Sequence, residues 1–202
     1  MGIRWNRIRY TLYAPFYDVV VRRMARGRRR ALELLALQPG ERVLIDGCGT
    51  GLDLELLPRD AHVSAIDITP AMVERTRERA EWLGMRIDAR VMDAAKLDYP
   101  DESFDCVVLH LILAVVPDPI NTAREAARVV KRGGRIVIFD KFLPDGGRAS
   151  LGRRALNALA RVAATDINRR LGDLLAATDL RVVQKEASIF RGMFTVTLCR
   201  RG

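Results

Sequence analysis

The chain has 202 residues, of which 49% are hydrophobic, and a net charge of +9. A chain of this size buries a substantial core and predicts a single α/β domain. Its three cysteines, Cys48, Cys106 and Cys199, are odd in number and far apart. This pattern excludes a disulfide framework and a metal site and favours a reducing, cytoplasmic environment.

The first 30 residues carry most of the charge, with nine arginines against one acid, Asp18. Aromatic and aliphatic residues alternate with these arginines, as in segments that bind an anionic membrane surface. The arginines proposed to hold the membrane are Arg22, Arg23, Arg26, Arg28, Arg29 and Arg30. A solvated basic face on an ordinary helix is the alternative. Nucleic acid is disfavoured because the arm contains no recognised nucleic-acid-binding motif.

A glycine-rich turn follows the first apolar run, in the stretch Val43–Leu57. Its pattern predicts a buried strand, a tight turn and a helix. Gly47, Gly49 and Gly51 have the spacing G-x-G-x-G, whereas a dinucleotide site has G-x-G-x-x-G. The turn therefore predicts a nucleotide-like ligand without a pyrophosphate, and a turn without any ligand is the alternative.

Two acids follow the next predicted strands. Asp67 ends the apolar run that starts at His62, and it lies 20 residues beyond Gly47, the distance at which an acid binds ribose hydroxyls. A helix cap is the alternative for Asp67, although Thr69 is better placed to cap the helix expected through Trp82. Asp93 follows the strand 86–92, again at a carboxyl end where ligands bind.

The remaining pattern continues the alternation of strands and helices. A fourth strand over 103–109 ends at His110, a helix covers 120–130, and a fifth strand covers 135–140. A basic helix over 148–162 is expected to be either a lid or a helix that packs against the sheet. Thr165 or Asp166 is expected to cap another helix, and strands at 180–187 and 194–199 to close the sheet. We therefore predict a doubly wound, mostly parallel α/β sheet.

The expected organisation is one domain with four parts. These are a basic helical arm (1–38), a cofactor-binding core (41–140), a lid or substrate segment (141–178) and closing strands (179–202). The longest apolar run, 107–116, is interrupted by His110 and is too short to span a bilayer. We expect a soluble or peripherally membrane-associated protein in the cytoplasm.

The ordered motifs resemble those of the class I S-adenosylmethionine-dependent methyltransferases. The resemblance implies a Rossmann-like, seven-stranded sheet with an antiparallel seventh strand, S-adenosylmethionine as cofactor, and Asp93 at the adenine amine. The implied cofactor residues are Asp46, Gly47, Cys48, Gly49, Gly51, Asp67, Ile68, Asp93, Ala94 and His110. The family's first acid stands two places before the first glycine, where this chain has Ile45. Asp46 is therefore expected to point to the other face unless the turn begins early.

A sharper resemblance lies in the arm. The segment 10–18, YTLYAPFYD, is similar to the N-terminal arm of soluble bacterial phosphatidylethanolamine N-methyltransferases and of related quinone-biosynthesis methyltransferases. Both groups share the Ala-Pro-x-Tyr-Asp element, while the arginine-rich arm and the sequence FDCVVLHLILAVVPDP favour the lipid enzymes. The alternatives are a methyltransferase for a small or quinone-like substrate, and a non-catalytic cofactor-binding or RNA-associated module.

Three side chains are candidates for the transfer itself. His110 either accepts the proton of the lipid amine or only lines the pocket. Tyr13 and Tyr17 either cover the cofactor and orient the amine or anchor the arm. Methyl transfer from a sulfonium to an amine is a direct displacement, so we expect no covalent enzyme intermediate.

Overall fold

The computed structural model describes residues 24–143 and 168–202. Its helices are α1 (Ala25–Leu35), α2 (Pro70–Trp82), α3 (Pro119–Val129), α4 (Leu171–Leu175) and α5 (Ile189–Gly192). Its strands are β1 (Arg42–Asp46), β2 (His62–Asp67), β3 (Ile87–Val91), β4 (Phe104–His110), β5 (Val130–Lys141), β6 (Leu180–Ala187) and β7 (Phe194–Arg201). A short 3-10 helix, Leu52–Leu56, follows β1.

The strands form one sheet in the order β3-β2-β1-β4-β5-β7-β6. The pairs β1–β2, β2–β3, β1–β4 and β4–β5 are parallel, and β7 is antiparallel to both of its neighbours. The doubly wound sheet with an antiparallel seventh strand is therefore confirmed. The carboxyl ends of β1, β2 and β4 lie together at one edge, which is where such sheets bind ligands.

Each face of the sheet is covered by its own apolar cluster. Val43 and Ile45 of β1 pack on the side of α1 and α2, and Leu44 packs on the side of α3 and α4. This alternation follows from the two-residue period of a strand. A parallel sheet with both faces covered explains why the central strands are continuous apolar runs.

Helix α1 approaches the sheet closely. A Cβ atom placed on Gly27 would lie 2.4 Å from ring atoms of Phe139 on β5. The missing side chain therefore lets the backbone of α1 rest directly on the sheet. The next residue, Arg28, is also buried, with an exposure of 4%.

Some expected boundaries differ from the structure. The segment after the glycine turn is a five-residue 3-10 helix, since Leu57 is extended before Pro58 and stops the helix. Residues 131–134, which fall between the helix expected over 120–130 and the strand expected over 135–140, lie within β5, where the register with β4 shifts and Gly133 has a φ of 72°. A bulge of this kind inserts extra residues without ending the strand. The predicted lid 148–162 and the caps Thr165 and Asp166 lie outside the described residues.

No helix in the described ranges, 24–143 and 168–202, is long and apolar enough to cross a membrane. Cys48, Cys106 and Cys199 are free and buried. Burial raises the pKa of the Cys199 thiol to about 12.

Candidate active site

A cleft that is open to solvent lies at the carboxyl ends of β1, β2 and β4. Its lining contains every predicted cofactor residue except Cys48 and Gly51. Met72, Met92, Ile112, Val115 and Val116 supply most of its apolar wall. A mainly apolar cleft with a few polar groups at fixed positions is typical of small-molecule sites.

The glycine turn forms one wall of the cleft. The N–H groups of Gly47 and Cys48 both donate to the Ile66 carbonyl, at 2.9 and 2.8 Å, which ties the turn to β2. Gly47 has a φ of 77°, and a Cβ atom there would lie 2.5 Å from Cδ1 of Ile112. Glycine is therefore required at this position for both the turn and the shape of the cleft.

Asp67 joins the glycine turn to α2. One carboxylate oxygen accepts the Gly49 N–H at 3.0 Å, and the other accepts the Thr69 N–H at 2.9 Å. Thr69 is the N-cap residue by position, but its side chain makes no capping bond. Because each carboxylate oxygen has two acceptor sites, Asp67 can hold these amides and still accept two ribose hydroxyls. The predicted ribose role and the alternative capping role are therefore compatible.

Asp46 faces the cleft, although it lies one place away from the family's acid. Its side chain is fully buried, and neither carboxylate oxygen has a hydrogen-bond partner among the described residues. Burial, followed by the charges of Asp67, Asp93 and Glu125, raises its pKa to about 8. The one-residue shift puts Asp46 on the opposite face from Ile45, as expected, and that face opens onto the cleft.

Asp93 lies at the far end of the cleft, after β3. One of its carboxylate oxygens accepts the Ala95 N–H at 2.9 Å, which fixes the turn that carries Ala94. Ile68 and Ala94 line the same cleft. The structure therefore brings together the predicted residues from the ends of β2 and β3.

Cys48 and Gly51 lie behind the turn, away from the cleft. The Thr76 hydroxyl donates to the Cys48 sulfur at 3.3 Å, and burial raises the pKa of that thiol. A Cβ atom on Gly51 would lie 3.1 Å from Cα of Thr76. These two residues hold the turn against α2, and neither lines the cleft.

His110 ends β4 and lines the cleft from the side of α1. Its Nδ1 lies 2.9 Å from Oδ1 of Asp53. The same oxygen accepts hydrogen bonds from Nε and Nη2 of Arg28, at 2.9 and 2.7 Å. Nε2 of His110 is buried and has no hydrogen-bond partner within the described part of the chain. Burial alone would raise the pKa of the Asp53 carboxyl, but His110 and Arg28 hold it well below its usual range.

Sequence reasoning missed Asp53 and misplaced Arg28. Arg28 was expected at the membrane, and this is wrong because its side chain is buried against Asp53. Arg28, Ala31, Leu32 and Leu35 follow the i, i+3, i+4, i+7 pattern, so the buried stripe of α1 was visible in the sequence. The positive charge of Arg28 led us to assign it to the exposed face of the helix.

The other arginines of the arm have different surroundings. Arg30 donates to the carboxylate of Glu186 on β6 at 2.9 and 2.7 Å, and Arg26 and Arg29 are exposed. Tyr13, Tyr17, Arg22 and Arg23 lie outside the described residues, so their predicted roles stay predictions.

A network outside the predicted site braces the apolar wall. Arg169, just before α4, donates to the carbonyl groups of Leu113 and Val116, and Asp140 accepts the Ala114 N–H at 2.9 Å. These contacts connect the ends of β4 and β5 to the loop that lines the cleft. Asp140 and Arg169 therefore stabilise the loop that forms part of the apolar wall of the cleft.

The matching family profile describes a methyltransferase domain and covers residues 45–138. A phosphatidylethanolamine N-methyltransferase of Cereibacter sphaeroides is 34% identical over 89% of this chain and 89% of its own length. A demethylmenaquinone methyltransferase of Thermus thermophilus is 32% identical over 68% of this chain and 66% of its own length. The crystal structure of geranyl diphosphate C-methyltransferase from Streptomyces coelicolor, in complex with S-adenosyl-L-homocysteine, matches with a TM-score of 0.74 and 16% identity over 89% of this chain and 79% of that chain. Residues 45–138 contain the whole lining of the cleft.

Proposed function

Because this chain belongs to the class I S-adenosylmethionine-dependent methyltransferases, we propose that it methylates the amine of phosphatidylethanolamine at an anionic membrane surface. The observation that carries the proposal is the similarity to a phosphatidylethanolamine N-methyltransferase over 89% of both chains. The demethylmenaquinone methyltransferase of Thermus thermophilus matches a smaller share, 68% of this chain. The chain is thus an enzyme, and a quinone-like acceptor is the competing substrate.

The residues of the cleft fit S-adenosylmethionine, which supplies a methyl group on a positively charged sulfur. We assign Asp67 to the ribose hydroxyls and Asp93 to the adenine amine because both line the cleft, and the absence of a side chain at Gly47 leaves room for a ligand to approach the backbone. The buried carboxyl of Asp46, which has no protein partner in the described chain, is free to bond to the cofactor. A buried polar group without a partner is costly, so a ligand that supplies one binds more tightly.

The chain's own contribution to the transfer is to position the acceptor, exclude water and remove a proton. The apolar wall around Ile112 and Val115 disfavours the charged form of an amine, because burial favours the neutral form. We assign the acceptance of the amine proton to Nε2 of His110, because His110 lines the cleft and this atom has no hydrogen-bond partner among the described residues. A neutral, aligned amine is then the nucleophile.

The proposed membrane contact rests on the arm and on the exposed start of α1. Arg26 and Arg29 are exposed, Arg28 is buried in its ion pair with Asp53, and Arg30 is exposed but paired with Glu186. Arg22 and Arg23 complete the set of candidates for the anionic surface. Each arginine near a charged bilayer contributes on the order of 1 kcal/mol, and salt weakens this contribution.

Labelling of extracts tests the proposed substrate class. The purified protein is incubated with S-adenosylmethionine carrying a radiolabelled methyl group, together with total lipid extract or soluble extract. We expect label in N-methylated derivatives of phosphatidylethanolamine. Label confined to the quinone fraction or to soluble molecules would contradict the proposal. The Asp67→Ala variant serves as the control with weakened cofactor binding.

A further inference from the structure

A small cavity lies behind the glycine turn, on the side of α1. Arg28, Asp53 and His110 line it, and His110 also lines the large cleft. The side chains of these three residues are at most 6% exposed. Of these three buried side chains, only that of His110 also lines the cleft.

We propose that Asp53, held in place by Arg28, is a positioning residue that fixes His110 with Nε2 as a bare proton acceptor facing the methyl acceptor. The proposal rests on the proposed function, because it assigns the proton step of the same reaction. It adds Asp53 and Arg28, two residues outside the cleft, to the machinery of the enzyme.

The hydrogen-bonding chemistry of the cluster selects the tautomer. An ionised carboxylate only accepts hydrogen bonds, so Nδ1 of His110 must carry the hydrogen that points to Oδ1 of Asp53, 2.9 Å away. The neutral ring then has its lone pair on Nε2. This atom is the one that is buried without a partner in the described chain.

Arg28 keeps the carboxylate of Asp53 ionised and fixed. Two of its N–H groups donate to Oδ1 of Asp53, and the close contact of Gly27 with Phe139 sets the depth of α1. Buried ion pairs are weak contributors to stability, and well-packed apolar residues often replace them without loss. The stability of the fold alone does not require the buried Arg28–Asp53 pair, whereas a role in orienting His110 accounts for it.

The proton step balances as follows. The ammonium group of the acceptor gives one proton to Nε2 of His110, which leaves a neutral amine and an imidazolium beside the Asp53 carboxylate. The nitrogen lone pair forms the new N–C bond, and the C–S bond breaks with its electron pair going to sulfur. The products are a methylated ammonium group and a neutral thioether, and the imidazolium releases its proton to solvent.

The first test reads the tautomer without any turnover. The chain has two histidines, and His62 is exposed at the start of β2, so it serves as an internal reference. Long-range proton–nitrogen correlation spectra of the histidine-labelled protein at mildly alkaline pH distinguish a ring nitrogen that carries hydrogen from one that does not. We expect His110 to carry hydrogen on Nδ1 alone. A ring with hydrogen on Nε2, or a mixture like that of His62, would overturn the proposal.

The second test compares two substitutions in the same 3-10 helix. Asp53→Asn keeps the shape of the side chain, and Glu55→Gln removes the same charge from an exposed neighbour. We expect Asp53→Asn to lower kcat by roughly 10- to 1,000-fold and to change the His110 tautomer. The dissociation constant of S-adenosylmethionine and the Glu55→Gln kinetics should stay within about two-fold of the parent values.

The outcomes separate the two proposals. Equal kcat values for Asp53→Asn and Glu55→Gln, or a lower kcat with an unchanged tautomer, would overturn the role of Asp53. A parent protein that shows the Nδ1–H tautomer but labels no amine would overturn the proposed substrate and leave the assignment of Nε2 intact.

Discussion

Three aspartates, Asp46, Asp67 and Asp93, line the cleft, and a fourth, Asp53, lies outside it beside His110. Asp67 and Asp93 accept backbone N–H groups, Asp53 is paired with Arg28 and His110, and Asp46 has no partner among the described residues. These surroundings predict different consequences when each carboxylate is changed, although all four are aspartates.

Asp67→Ala should weaken S-adenosylmethionine binding by roughly ten- to a hundred-fold, which corresponds to the loss of a charged hydrogen-bonding group. It should also lower stability by about 1–3 kcal/mol, because the buried Gly49 and Thr69 N–H groups lose their acceptor. Calorimetry and urea unfolding measure the two effects. Asp60→Ala, in an exposed turn, is the control. Unchanged cofactor affinity in Asp67→Ala would remove this residue from the site.

Asp46→Asn should stabilise the free protein, and the gain should depend on pH. Folding raises the Asp46 pKa from an ordinary value of 3.8 to about 8. Stability contributed by this group is thus full below pH 3.8 and is lost as the pH rises to about 8. The variant should exceed the parent by more than about 1 kcal/mol near neutral pH, and by less in acid.

Urea unfolding of both proteins between mildly acidic and mildly alkaline pH measures this difference. A difference that stays constant with pH would show that the Asp46 carboxyl has the same pKa in the folded and unfolded chains. Asp46→Asn should also change the pH dependence of cofactor affinity, since the carboxyl lies in the cleft.

At the scale of elements, the glycine turn gives a matched pair of substitutions. Gly47 and Gly84 have φ values of 77° and 68°, but only Gly47 has a neighbour, Ile112, within reach of a new Cβ atom. Gly84→Ala should lower stability by about 1–2 kcal/mol through its backbone conformation. Gly47→Ala should cost about 1–3 kcal/mol more and weaken cofactor binding, because Ile112 must move.

Thermal unfolding and cofactor titration of both variants test this difference. Equal loss of stability in the two variants, with full cofactor affinity in Gly47→Ala, would mean that Ile112 shifts without cost and that the wall of the cleft is not rigid.

The elements also show what the sequence could predict. The apolar runs, the glycine turn and the acids at strand ends predicted the parallel sheet and most of the cleft, because parallel strands bring their carboxyl ends to one edge. The Asp53–His110 contact joins residues 57 positions apart and depends on the 3-10 helix and on the depth of α1. A local sequence pattern does not report contacts between distant residues, so Asp53 was missed. Arg28 was assigned to the membrane because most of its neighbours in the arm are basic.

At the scale of the whole molecule, most of the net positive charge belongs to the first 30 residues, which include the start of α1. Replacing Arg22, Arg23, Arg26 and Arg29 with glutamine should abolish binding to anionic vesicles and lower activity on bilayer substrate. Cofactor affinity and activity on a short-chain, monomeric lipid should be unchanged, because the cleft is untouched. Vesicle sedimentation at low and high salt measures binding.

A control variant carries the same change of charge elsewhere on the surface. Its substitutions replace the exposed residues Arg59, Arg75, Arg86 and Arg124 with glutamine. If both quadruple variants bind vesicles as the parent does, the basic arm is a solvated face. If both lose binding equally, net charge alone governs the interaction.

Methyl transfer to defined acceptors tests the central claim most directly. The purified protein is given labelled S-adenosylmethionine and either vesicles of phosphatidylethanolamine with an anionic phospholipid or a dispersed demethylated quinone. We predict label on the amine of phosphatidylethanolamine, with a loss of roughly 100-fold or more in His110→Ala. Label on the quinone, with none on phosphatidylethanolamine, would contradict the account.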